Sequence, residues 1–186
     1  YEMQWSLVGS EMCIRDRSLD SLYQKLTDLD VPLFIHASST DGVGGLKDDR
    51  LTQHNLSLSL GYAQEETLAV AQLLLGGVLD RHPTLDVCVS HGGGAAAFLA
   101  EKIDQLAQLD PAASESVKRN GFGHELQNLW FDTHVKGEVA ATALRHYAHE
   151  DKLVFGTNLG GFDTPEALSA DVVRLSQNAR RLLRLP

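Results

Sequence analysis

Cysteine is nearly absent from this 186-residue chain, which holds only Cys13 and Cys88. Two thiols build no disulfide framework, so a hydrophobic core must hold the fold, and the expected setting is a reducing compartment, the cytoplasm. Long apolar runs are missing as well. None approaches the roughly 20 residues that span a bilayer, and no secretory h-region opens the chain, so no membrane partner is expected. Basic residues are outnumbered, 16 Lys and Arg against 25 Asp and Glu, and they form no stripe. A chain of net charge -9 without a basic patch offers no footprint for nucleic acid. Several catalytic signatures are also lacking. No serine sits in a Gly-x-Ser-x-Gly elbow. Gly42-Val43-Gly44-Gly45 has no following Lys and no helix start, so it is no P-loop, and Gly92-Gly93-Gly94 lacks the Rossmann spacing. His146 and His149 stand at i and i+3, whereas a zinc-protease helix needs i and i+4 with an internal Glu. They are expected to be exposed helix residues.

What is present is enough for one globular domain with a real core, since 43% of residues are hydrophobic and 22% charged. Tyr1–Arg17 carries neither helical nor strand periodicity and resembles translated sequencing-adapter DNA. It is expected to be a non-native or disordered leader outside the fold. From Ser18 the pattern becomes regular. Leu19, Leu22, Tyr23, Leu26 and Leu29 fall at helical spacing, with Ser18 as N-cap. A strand ends at His36, and a polar loop covers 37–64, long enough to be functional. A helix over 65–80 places Glu65 and Glu66 at the positive end of its dipole, with Leu68, Ala71, Leu75, Val78 and Leu79 inward. Residues 85–90 form a second strand that contains Cys88 as a small buried hydrophobe. A helix follows over 95–109, with Phe98, Leu99, Ile103 and Leu106 inward, then a loop over 111–127. A third strand covers 129–132, and its helix over 138–150 buries Val139, Ala143, Leu144 and Tyr147. After a fourth strand at 153–155, Thr164-Pro165-Glu166 opens a last helix that runs to about Leu185.

Short, continuously apolar strands separated by helices indicate an α/β fold whose parallel sheet is covered on both faces. Two architectures satisfy this order: an open doubly wound sheet, or part of a (β/α)8 barrel. In either, the C-terminal strand ends build the site, and here they carry His36, His91 and Asn158. A lone histidine at a strand end is often just a satisfied polar residue. Repetition at equivalent positions favours function, because neutral imidazole is both a metal ligand and a proton carrier near pH 7. The amides after His91, at a helix N-terminus, would suit an anionic substrate group. Thr133 or His134 would reach the same rim, with His134 balanced between site and surface.

These residues resemble a known family. Phe34-Ile35-His36, His82-Pro83-Thr84-Leu85 leading into Ser90-His91-Gly92-Gly93-Gly94, Leu129-Trp130-Phe131-Asp132-Thr133, Leu153-Val154-Phe155-Gly156-Thr157-Asn158 and Asn178-Ala179-Arg180-Arg181-Leu182 are similar, in this order, to the amidohydrolase-related family (amidohydrolase 2). Within it they resemble the branch of aminocarboxymuconate-semialdehyde and aromatic-acid decarboxylases. The resemblance implies that 18–186 is the C-terminal half of a (β/α)8 TIM barrel, strands five to eight with their helices. It implies a divalent metal, zinc above all, with His36 as the strand-five ligand. His91 would be the catalytic histidine that activates water or transfers a proton, and Asn158 would stand where the family has an aspartate. Gly92, Gly93 and Thr133 would contact substrate. The sequence departs from the family in having no His-x-His, so the strand-one ligands are absent, and in offering an amide at Asn158, with Asp163 the nearest carboxylate. The expected activity of the intact parent is non-oxidative decarboxylation of a small unsaturated or aromatic carboxylic acid. The rivals are metal-dependent hydrolysis of a C–N, C–O or C–C bond, and a non-catalytic barrel that has lost its metal. The expected partners are that small carboxylic acid and a second copy of the parent.

Overall fold

A computed structural model describes residues 13–37, 48–157 and 170–186. The expected helix start at Thr164-Pro165-Glu166 and the first part of the 37–64 loop lie outside the described residues. Four short strands, β1 (Leu33–Ile35), β2 (Val87–Val89), β3 (Trp130–Asp132) and β4 (Leu153–Val154), form one sheet. All three pairings are parallel, with Leu33 opposite Val87, Cys88 opposite Trp130 and Phe131 opposite Leu153. The spatial order is β1-β2-β3-β4, the same as the chain order. A doubly wound sheet reverses its order at a switch point, whereas a barrel wall does not.

The connecting helices are α1 (Asp20–Asp28), α2 (Tyr62–Leu75), α3 (Val78–Arg81), α4 (Ala96–Ala107), α5 (Glu115–Asn120), α6 (Phe122–Glu125), α7 (Glu138–Tyr147) and α8 (Val172–Leu182). Strand side chains alternate between two faces. Val87, Val89, Phe131 and Leu153 join the helices in the main core with Val70, Leu73, Phe122 and Leu144. Cys88, Trp130 and Val154 point the other way and meet Leu182 of α8. Phe34 on that second face is 55% exposed. Of the two expected architectures this is the partial barrel, and the cover expected on both faces is unequal. Among the described residues the helices gather on one face, and the other keeps barrel-interior character, with α8 closing one end of it. Arg184, just past α8, pairs with Asp30 and Asp86 before β1 and β2, and Trp130 Nε1 donates to Asp86.

Among the described residues β1 pairs only with β2, and β4 only with β3. Two unpaired strand edges and an exposed Phe34 invite pairing with another chain. The 186-residue chain alone is expected to self-associate in sedimentation velocity. A single monomeric boundary across the concentration range would contradict this.

Several helix expectations change. The cap of the first helical turn is Asp16, which accepts from the Ser18 amide, not Ser18 itself. The helix expected over 65–80 begins earlier, running on from a π-helical turn at Ser57–Gly61, and breaks at Gly76-Gly77 before α3. Its buried face is Glu66, Ala69, Val70, Leu73 and Leu74, while Leu68 faces out. On α4 the small residues Ala96, Ala97, Ala100 and Ala107 are inward, and Phe98 and Leu106 are exposed. On α7 Val139 is exposed too. Alanines let α4 lie close to its neighbours, and that close approach turns the larger side chains outward. The 111–127 loop contains α5 and α6, with Ser114 capping α5 through the Val117 amide. His149 has left the helix and caps a 3-10 turn at Glu150–Lys152.

The described part of the leader, residues 13–17, belongs to the fold. Ile14 has no exposed surface, and the Tyr23 hydroxyl, equally buried, donates to the Ile14 carbonyl at 2.5 Å. Cys13 Sγ donates to Gln72 on α2. Removing the Ile14 side chain opens a cavity, so Ile14→Ala should cost about 2–4 kcal/mol in urea unfolding. A loss under ~0.5 kcal/mol, the usual size of a surface effect, would return this segment to the status of a loose leader.

Candidate active site

The C-terminal ends of β1, β2 and β3 converge on His91. The chain leaves β2 extended at Ser90 and turns sharply at His91, which has a left-handed φ of 48°. Around its ring stand three others. His36 lies at 5.1 Å between ring centroids, His134 at 5.4 Å and Tyr62 at 6.2 Å in a stacked arrangement. His36 and His91 were expected together. His134, left open by the sequence, is buried and belongs to the cluster.

Two further residues were not anticipated. Glu66, expected only to complement a helix dipole, is fully buried, and its Oε1 lies 2.6 Å from His91 Nδ1. Its Oε2 has no hydrogen-bond partner among the described residues. Burial pushes the Glu66 carboxyl above its ordinary range, against the pull of His91. Asp132, at the end of β3, accepts from the amides of Gly92 at 3.3 Å and His134 at 3.1 Å. It thereby ties the His91 turn to the strand end that carries His134. The signal for Glu66 was its register: Glu66, Ala69, Val70, Leu73 and Leu74 fall at helical spacing on one face.

Burial also pushes the Asp132 carboxyl up, opposed by the His134 amide and by His91. A carboxyl raised in the folded state binds more protons there than in the unfolded chain. Its contribution is therefore favourable at low pH and is lost as pH rises from the ordinary carboxylate range, about 4, through the raised value. Asp132→Asn keeps an oxygen for both amides and removes this titration. The stability of the variant relative to the parent chain should therefore improve as pH rises from acid to neutral. Parallel stability–pH curves for the two would sink this reading.

Gly92 and Gly93 do not form the expected cradle for an anion. The Gly92 amide is committed to Asp132, the Gly93 amide to Ser90 and the Gly94 amide to His91. The glycines are instead needed for contact, because a Cβ would come within 2.6 Å of Val135 at Gly92 and within 2.7 Å of Phe131 at Gly93. The Thr133 amide donates to Val154, and the residue lines a cavity of about 230 Å³ together with His134, Lys136, Gly156 and Arg174. Asn158 lies outside the described residues. His82 serves the fold: buried, it meets Tyr23 edge-on and Asp20 at 3.3 Å.

A strand-end histidine held by a buried carboxylate, with other imidazoles beside it, can accept and return a proton. Comparison with known proteins gives the family of the chain. A family model described as Amidohydrolase matches residues 7–185. The chain belongs to the amidohydrolase family. It is 29% identical over 143 residues to a 2-amino-3-carboxymuconate-6-semialdehyde decarboxylase of Dictyostelium discoideum, covering 77% of this chain and 38% of that protein. It is 27% identical over 149 residues to a 2-keto-4-carboxy-3-hexenedioate hydratase of Sphingobium, covering 80% of this chain and 39% of that protein. The chain thus spans about two-fifths of the length of these relatives. Its fold matches the crystal structure of 5-carboxyvanillate decarboxylase from Novosphingobium aromaticivorans, complexed with manganese and a nitrobenzoic acid. The TM-score is 0.71 at 18% identity, over 92% of this chain and 53% of that one. The four-stranded sheet is a segment of the amidohydrolase (β/α)8 barrel.

The Novosphingobium decarboxylase of the same fold is complexed with manganese. His36 fits the part of one ligand, because its Nδ1 lies 2.6 Å from the Ala37 carbonyl. An imidazole that donates one N–H to a carbonyl presents the other nitrogen to a metal. The described residues go no further: no group of three or more His, Cys, Asp or Glu side chains among them could hold a metal ion.

Proposed function

We propose that this amidohydrolase chain carries the proton-transfer half of a metal-dependent, non-oxidative decarboxylase that acts on a small unsaturated or aromatic carboxylic acid. The observation that carries the reading is His91, placed at a barrel strand end and braced through Nδ1 by a buried carboxylate. Loss of carbon dioxide leaves a carbanion or enolate, which must take up one proton at carbon. His91 delivers that proton and is reprotonated from solvent. His36 would be one ligand of a divalent cation, zinc or manganese, which when bound polarises substrate oxygens. Asn158, which stands in the sequence where the resemblance implies an aspartate, is proposed to serve the same centre, and Thr133 to contact substrate. The likeness to a decarboxylase of carboxymuconate semialdehyde supports the substrate class. Two unbridged cysteines suit a cytoplasmic enzyme. Among the described residues no helix is long and apolar enough to cross a membrane.

The likeness to a hydratase supports a second reading, addition of water across a carbon–carbon double bond. That chemistry also ends in proton delivery to carbon and would use His91 in the same way. The test is a substrate panel of unsaturated and aromatic acids with a protein that spans the full length of its relatives. Release of carbon dioxide in step with substrate loss is expected. A product heavier by one water, without carbon dioxide, would establish the hydratase instead, and hydrolytic cleavage products would overturn both readings.

A further inference from the structure

We propose that Glu66 is a positioning residue that holds the His91 imidazole in a single tautomer, with the proton on Nδ1, so that all proton exchange by His91 passes through Nε2. The inference deepens the proton-transfer reading above, but its evidence is geometric. Glu66 has no exposed surface, and its Oε1 stands 2.6 Å from His91 Nδ1. At that separation one heavy atom must donate; with Glu66 ionised its oxygen only accepts, so the proton lies on Nδ1.

The position of Glu66 is costly in itself. A buried carboxylate forfeits its hydration, and the raised Glu66 carboxyl shows that His91 and the Ala37 amide offset this only in part. A glutamine or an aliphatic side chain at this point of the α2 inner face would avoid that cost. Only the ionisable acid gives His91 a counter-charge. When Nε2 takes up a proton, positive charge develops on the ring next to Glu66. When Nε2 gives the proton up, the neutral ring remains in the Nδ1–H form, ready to accept again. No group besides His91 and the proton it carries changes state.

The surroundings are arranged to keep this geometry. Tyr62, one turn before Glu66 on the same helix, stacks on the His91 ring at an interplanar angle of 28°. Thr67, the next residue, accepts from the Ala95 amide at 2.8 Å and so fixes the far side of the His91 turn. One helix therefore supplies the ring's floor, its hydrogen-bond partner and the anchor of its backbone.

The test is nitrogen-15 magic-angle-spinning NMR of this full chain with labelled histidine, a method indifferent to self-association. His91 is assigned by its loss in His91→Gln. The parent chain should show His91 as one Nδ1-protonated species when neutral. Glu66→Gln, whose amide can either donate or accept, should lose this single species and give a mixture of both tautomers. An Nε2-protonated His91 in the parent chain would overturn the proposal, even if Glu66→Gln failed to fold. An unchanged Nδ1–H species in a folded Glu66→Gln would overturn it as well. Because the readout needs no turnover, either failure is distinguishable from absence of decarboxylation or hydration, which would overturn only the functional reading.

Discussion

Replacing His91 by alanine, in a protein that spans the full length of its relatives, should lower kcat by roughly 10²–10⁴-fold with little change in KM, the size of a lost general acid or base. The effect depends on which imidazole is held ready to move a proton. His91 is the histidine bonded to a buried carboxylate, and it sits within 5.1–5.4 Å of the rings of His36 and His134. His134 is close as well, and Asp132 accepts from its backbone amide. His146→Ala provides the control, since His146 packs on Tyr147 away from the cluster and should leave turnover unchanged. Steady-state kinetics on both variants decides the matter. Near-normal kcat in His91→Ala would remove this residue from the chemistry.

The strand ends were legible because they depend on local signals. An apolar run that stops at a polar residue before glycines says where β2 ends and His91 begins, and the same signal marks His36. Helix faces were less legible where apolar residues crowd together. In Leu68-Ala69-Val70-Ala71-Gln72-Leu73-Leu74-Leu75 two registers compete, and the choice between them depends on what lies opposite. The register that buries Glu66 looks worse on hydrophobicity alone and is the one observed. The missing information was the position of His91 across the α2–α4 contact, which offsets the burial of an acid. The exposure of Phe98 and Val139 has the same origin, because small residues win the inner face where helices approach closely. Ile14 was missed for a different reason. A stretch without periodicity can still insert one side chain into a core, and the burial of Ile14 needs only the local turn that leads into α1.

Asp132 shows the limit of reading residues singly. Within Phe131-Asp132-Thr133-His134 the local pattern marks the residues after the strand end and not Asp132 itself. Its role is to accept two backbone amides from two different loops, an arrangement that leaves no trace in the local pattern. Glycine readings erred in the opposite direction. Gly92 and Gly93 suggested a bound anion, whereas their amides are committed internally and their missing side chains make room for Val135 and Phe131.

The larger structural effect is expected one residue further on. Gly94→Ala should destabilise the chain by about 2–6 kcal/mol, combining backbone strain and overpacking of roughly 1–3 kcal/mol each, and lower Tm by roughly 10 °C. Gly94 has φ 65° and ψ -122°, a conformation that a side chain makes costly. A Cβ there would stand 2.2 Å from the Ala63 carbonyl oxygen and 2.7 Å from Thr67 Oγ1. The first of these is backbone, so relief requires moving α2 itself. Thr67 cannot yield freely either, because its hydroxyl donates to Ala63 and accepts from Ala95. Since α2 also carries Glu66 and Tyr62, its displacement should loosen the brace on His91. The stability loss and the loss of a single His91 tautomer should therefore appear together in one variant. Thermal unfolding followed by NMR of the folded fraction checks both. A loss under ~1 kcal/mol would mean that α2 and the His91 turn are not in rigid contact, and the proposed positioning of His91 from α2 would lose its mechanical basis.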